Sequence, residues 1–139
     1  MREKTVKRYY CDFCKKAGLS KYHMGRHESH CTLNPKRHCR MCNYVSGTNA
    51  DVAELCKSLP PFPNDFIFGT DPAYVKWLAE MPAALLKLRE ETDNCPACIM
   101  AALRQANIPV PAVDGFDFKA ESKKIFDEVN EERMQSYHY

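Results

Sequence analysis

Three pairs of cysteines, each separated by two residues, constrain this chain more than any other feature: Cys11/Cys14, Cys39/Cys42 and Cys95/Cys98. They use six of the eight cysteines in 139 residues. Two thiolates so spaced can grip one ion from a tight backbone turn. The first residues, Met1-Arg2-Glu3-Lys4-Thr5-Val6-Lys7-Arg8, lead into no apolar stretch, so no secretory signal is expected. Outside an oxidising compartment this spacing favours metal over disulfides. A chain of 16.0 kDa makes one domain-sized unit, or two small ones sharing a core. Its mean hydropathy is −0.52. No apolar run approaches the roughly 18–20 residues of a membrane span. The expectation is a soluble intracellular protein with no membrane role.

The first pair belongs to a longer pattern. Twelve residues separate Cys14 from His27, and three separate His27 from Cys31, giving C-x2-C-x12-H-x3-C. Zinc prefers a tetrahedral set of thiolate and imidazole ligands. His27 and Cys31 stand four apart, so one helix face presents both. A short turn and one helix could then close Cys11, Cys14, His27 and Cys31 around an ion. His23 and His30 are alternative choices for the fourth ligand, since His23 also stands four before His27.

This segment resembles the two-cysteine two-histidine zinc finger, in the variant where cysteine replaces the last histidine. Tyr9 occupies the family's aromatic position and Met24 its leucine position. At Gly18 the family usually has phenylalanine; Leu19 or Phe13 is expected to fill that gap. The resemblance implies a ββα finger whose helix begins near Ser20 as N-cap. It further implies that Ser20, Tyr22, His23 and Arg26 face a nucleic-acid groove, flanked by Lys15, Lys16 and Lys21. Arg26 would reach a guanine edge and the lysines would meet phosphates. The competing reading is a zinc-stapled mini-fold that touches only protein.

The remaining pairs suggest a second site. Only seven residues lie between Cys31 and Cys39, with a turn at Asn34-Pro35, so the two centres are expected close together. Cys39-Arg40-Met41-Cys42-Asn43 reads as a knuckle, with Asn43 tolerating a left-handed exit. Asn94 reads as an N-cap and Pro96 as a first-turn residue, which places Cys95 and Cys98 at a helix start. There the helix dipole favours thiolate. A knuckle joined to a helix-start pair resembles the treble-clef zinc site in ligand arrangement, although 52 residues intervene here. Two zinc ions are expected in all, with iron as the alternative at the four-cysteine site. A redox dithiol would require a strand before Cys95, where residues 83–92 read as helix. A zinc deaminase would require H-x-E and P-C-x-x-C, and neither is present. Cys56 shares a stripe with Val52, Leu55 and Leu59 and reads as a small buried apolar residue.

Beyond the cysteines, the pattern is helical. Helices are expected over 51–59, from Asp71 to Met81, over 83–92, from Cys95 to about Ala106 and over 119–134. Pro82 should break or restart the second, and Ile125, Phe126 and Val129 should form the stripe of the last. Strand signals are confined to the knuckles and Phe66-Ile67-Phe68. Phe62, Phe66, Phe68, Tyr74 and Trp77 read as core. The expected fold is mainly α, small and zinc-stabilised. A ββα-like finger over residues 1–34 is fused to a helical body over 35–139, closed by the second zinc knuckle.

Charge divides the chain the same way. The net charge of +2 conceals a basic head and an acidic body. Residues 1–42 hold 11 Lys and Arg against 3 Asp and Glu, leaving 9 against 15 for the rest. The head could meet a polyanion, or the acidic body of a neighbouring copy. The run from Cys31 to Cys42, with Cys95-Pro96-Ala97-Cys98, is similar to small zinc proteins of tailed phages. Three functions compete. One is a binding module, with Lys36, Arg37 and Arg40 joining the finger's cations on nucleic acid while the body contacts protein. The second is a structural or assembly protein of a phage-like particle, placing it in a host cytoplasm or a virion. The third is a dithiol oxidoreductase. No enzyme is expected, because four-thiolate zinc leaves no open coordination position.

Overall fold

The computed structural model describes residues 1–45, 47–64 and 71–137. The possible strand at Phe66-Ile67-Phe68 lies outside these. Among the described residues the protein is mainly helical, with one two-stranded antiparallel sheet. β1 (Tyr9–Tyr10) pairs with β2 (Ala17–Gly18), Tyr9 opposite Gly18 and Tyr10 opposite Ala17. α1 (Lys21–His30) follows. Ser20 is its N-cap, and its hydroxyl accepts from the His23 N–H at 3.3 Å. This is the ββα order that the zinc-finger resemblance implies.

The finger has its own small core of Cys11, Met24 and Cys31, with Tyr9, Cys14 and Leu33 against it. Neither Phe13 nor Leu19 fills the space at Gly18; both are exposed. Met24 does so. Its Cε would lie 3.6 Å from a Cβ placed on Gly18, and Leu33 closes the cluster after the helix. A flexible methionine adapts to an irregular gap that phenylalanine would fill from the strand.

The body follows with α2 (Arg40–Val45), α3 (Val52–Lys57), α4 (Pro72–Glu91), α5 (Pro96–Gln105) and α6 (Phe118–Ser136). A 3-10 turn at Val110–Ala112 precedes α6. Asp51, Asp71 and Asp117 cap α3, α4 and α6 by accepting backbone N–H groups. α5 is the central element, packed against α3 and α6. Its Ile99, Ala101, Ala102 and Leu103 are fully buried. Leu103→Ala should cost about 2–5 kcal/mol in denaturant unfolding of the metal-loaded chain. A loss below about 1 kcal/mol would show that the site collapses around the deletion.

Three expectations are corrected here. Pro82 does not break its helix: α4 runs unbroken through it. Trp77, Met81, Leu85 and Leu88 form one buried stripe across the proline, while Leu78 and Pro82 are exposed. The carbonyl deprived of its N–H partner therefore lies on the water side, and the buried face holds the helix together. On α6 the inward stripe is Phe118, Ser122, Ile125 and Val129, and Phe126 points outward, 49% exposed. Cys56 is only half-buried, and its thiol donates to the Ala53 carbonyl at 3.2 Å.

Of the expected aromatic cluster, Trp77 is buried in the core with Phe62 and Tyr74 partly buried against it, and Phe66 and Phe68 lie outside the described residues. The Phe62 and Trp77 rings meet edge to face at 4.9 Å, and Tyr74 stacks on Trp77 at 6.1 Å. α4 is tied to α6 by Arg89, whose guanidinium makes paired bonds of 2.6 and 3.1 Å to the Glu121 carboxylate. No described helix is long and apolar enough to cross a membrane.

Candidate metal centres

Each centre is assembled by local backbone chemistry. In the first, the Cys11 N–H donates to the Lys16 carbonyl at 2.9 Å and folds residues 11–16 into a tight loop. Backbone N–H groups of Phe13 and Lys16 then donate to the sulfurs of Cys11 and Cys14, each at 3.4 Å. α1 brings His27 over this loop, its Nε2 lying 3.1 Å from Cys14 Sγ. Cys31 is the C-cap of α1, its N–H bonded to the Glu28 carbonyl. The ligand atoms of Cys11, Cys14, His27 and Cys31 all lie within 4.8 Å of one another. His23 and His30 are outside this set. His30 bonds through Nδ1 to the His38 carbonyl at 2.8 Å, and His23 is exposed beside the Tyr22 ring.

The second centre departs from expectation on both sides. Cys39–Asn43 is not a knuckle with a left-handed exit; Cys39 directly precedes α2, and Cys42 and Asn43 are helical. The Cys42 N–H donates to Cys39 Sγ at 3.4 Å across the first turn. On the other side Cys95 itself, not Asn94, is the N-cap of α5, and Pro96 follows in the first turn as expected. Asn94 and Asp93 instead adopt positive φ, at 58° and 51°. They end α4 in a left-handed turn closed by the Asn94 N–H on the Arg89 carbonyl at 2.9 Å. That turn is what aims α5 at α2. Cys39, Cys42, Cys95 and Cys98 all lie within 4.8 Å. Cys39 and Cys95 sulfurs are 3.6 Å apart, and those of Cys42 and Cys98 3.3 Å.

These separations exclude disulfides, whose sulfurs lie about 2.05 Å apart. They come within about half an ångström of the 3.8 Å edge of a sulfur tetrahedron around zinc. Donor chemistry fits as well. Burial foremost, and then the charge of Lys16, lowers the His27 pKa, which favours the neutral imidazole that binds metal. Burial raises the Cys31 thiol. Burial also works to raise Cys14, but the Lys16 N–H and neighbouring thiols outweigh it and hold Cys14 below the usual range. In the four-cysteine set, hydrogen bonds from Cys95 and Cys98 hold Cys39 far down as a thiolate. That thiolate pushes Cys95 up to about 12 and Cys98 higher still. Four sulfurs this close carry four charges only when a cation shares them.

Supporting residues that the cysteine pattern alone does not reveal surround the second centre. Asn49, at a φ of 45°, accepts the Cys39 N–H on its amide oxygen at 3.0 Å. Thr48 donates to the Asp93 carboxylate at 2.5 Å, joining that loop to the turn before Cys95. Arg37 directs Nη1 toward Cys98 Sγ at 3.9 Å. Nothing in the cysteine spacing marks Arg37, Thr48 or Asn49, which reach the centre only through the folded loops.

The two centres are bound to one another. The His38 N–H donates to the Ser29 carbonyl at 2.9 Å. Arg104 of α5 reaches the Thr32 hydroxyl at 2.8 Å, and Gln105 donates to the Thr32 and Asn34 carbonyls.

The candidate nucleic-acid residues divide into groups. Lys16, His23, Arg26 and Arg40 line one groove together with His27 and His30. Tyr22 is exposed beside it, with the Arg26 guanidinium 5.8 Å from its ring centre. Lys15, Lys21 and Lys36 are exposed but do not line that groove. Ser20 is engaged as a cap, and Arg37 is half-buried and turned to Cys98. No family matches the chain, and no curated protein or solved structure matches it.

Proposed function

We propose that this chain is a zinc-binding, non-enzymatic module whose basic finger head contacts nucleic acid and whose acidic helical body contacts a protein. Zinc is favoured over iron at the first centre by its mixed sulfur and imidazole ligands, and we assign it to the second as well, whose four buried thiolates suit a closed structural zinc site. The four body sulfurs are at most 3% exposed, so no substrate thiol or disulfide reaches them. This burial supports a structural centre over a redox dithiol.

One observation carries the nucleic-acid reading. Among the described residues every ion pair lies in the body, at Lys57, Lys76, Arg89 and Lys123. Among the described residues none of the 11 Lys and Arg of residues 1–42 is ion-paired. Glu28, one of its few acids, is engaged by the Asp12 N–H. A surface that keeps its cations uncompensated suits a polyanion.

The test is a titration of the zinc-loaded chain with labelled duplex and single-stranded DNA at two salt concentrations. If three phosphates are neutralised, affinity should fall about 40-fold between roughly 50 and 200 mM salt, through counterion release. Absent or salt-insensitive binding would reject the reading.

The second reading, a structural or assembly component of a phage-like particle, is favoured by α4. Val75, Leu78 and Leu86 lie on one outward face and are 54, 39 and 65% exposed. Self-association by mass measurement in solution, without affinity for nucleic acid, would select it.

A further inference from the structure

The geometry points to the groove between α1 and the start of α2 as a phosphate-binding site, built jointly by both metal centres. It deepens the nucleic-acid reading and rests on it for the source of the phosphate. Lys16, His23, Arg26, His27, His30 and Arg40 line it, and among the described residues no carboxylate does. Its volume is about 350 Å³. That is room for a phosphate group.

The walls come from different parts of the protein. Lys16 belongs to the first metal loop, where its N–H is bonded to Cys14 Sγ and its carbonyl to the Cys11 N–H. Arg26 is on α1. Arg40 is the first residue of α2 and adjoins Cys39 of the second centre. Two bonds fix the separation of the walls. The His38 N–H reaches the Ser29 carbonyl, and His30 Nδ1 bonds the His38 carbonyl. The backbone positions that carry the cations are therefore set before a ligand arrives. Arginines converging from a fixed backbone suit a cluster of phosphate oxygens, because each guanidinium can meet two oxygens at once.

The consequence is a dependence that a lone finger would not have: a head residue and a residue of the second centre must act on the same phosphate. The test uses the zinc-loaded full chain and the variants R26Q, R40Q and K7Q. Lys7 is an exposed head cation outside the groove, so K7Q removes equal charge without touching the site. Zinc content of each variant checks folding. A labelled DNA duplex and inorganic phosphate are the probes, read by fluorescence anisotropy and by backbone amide shifts.

R26Q and R40Q are each expected to weaken duplex binding about tenfold and to lower the salt slope by about one, with a clearly smaller change for K7Q. Duplex binding that R40Q and K7Q weaken equally would overturn the site while leaving the nucleic-acid reading intact. Absence of duplex binding, with phosphate shifting the amides of Lys16, Arg26 and Arg40, would support the site and reject nucleic acid as the source. Silence toward both probes would reject both. Competition by an acidic peptide as effective as that by DNA of equal charge would also overturn the site, by showing a general acid-binding face.

Discussion

The purified chain is expected to contain two zinc ions, and stripping them with a strong chelator should abolish its cooperative unfolding transition. Structural zinc in finger peptides is worth on the order of 10–16 kcal/mol of apparent binding free energy. A whole domain of this size is stable by only about 5–15 kcal/mol. Metal binding is therefore of the same size as the net stability of a whole domain. The second centre makes the dependence severe, because its four sulfurs lie inside the main core with Ile99 and Leu103. Loss of the ion leaves four mutually close sulfurs that must redistribute protons in a buried space. Elemental analysis, helical circular dichroism and thermal melting before and after chelation would check this. One ion per chain would retire one centre. A melt unchanged after verified metal removal would show that packing alone suffices.

Cys14→Ala should unfold the head while leaving the body folded. The finger core comprises three buried residues, Cys11, Met24 and Cys31, with three partly buried neighbours. Such a cluster is far too small to hold a ββα unit without its metal. Metal content should fall from two ions to one. The amide dispersion of residues 9–31 should collapse, while that of α5 and α6 persists. Cys56→Ala is the reference, because Cys56 is in neither cluster and should keep both ions. Retained dispersion in the Cys14→Ala head would contradict a structural role for the first centre. Collapse of the whole chain would show that the contacts of Arg104 and Gln105 with Thr32 transmit the loss into the body.

The comparison of sequence with structure turns on how far each signal reaches along the chain. The C-x2-C pairs and the His27–Cys31 spacing are short-range features, and a tetrahedral ion imposes nearly the same local geometry wherever it binds. Ser20, Asp71 and Pro96 announce helix starts for a similar reason, since a cap acts within one turn. Pro82 misleads because its effect depends on which side of the helix faces water, and only the packing of Trp77, Met81 and Leu85 decides that. Asn94 reads equally well as a cap or as a left-handed turn residue. The choice falls to the turn because α4 continues to Glu91 and must reverse at once into α5.

By itself the amino-acid order determined the three C-x2-C pairs, the C-x2-C-x12-H-x3-C donor pattern of the first centre, the helical character and the separation of basic head from acidic body. These follow from residue type and near-neighbour spacing. Tertiary structure alone decided that Cys39 and Cys42 would meet Cys95 and Cys98 across 52 intervening residues. It also turned Arg37 inward to a sulfur and set Arg40 opposite Arg26 across a single groove. The physical reason is that side chains distant in sequence acquire a fixed separation only when buried contacts and shared hydrogen bonds remove the chain's freedom to place them elsewhere.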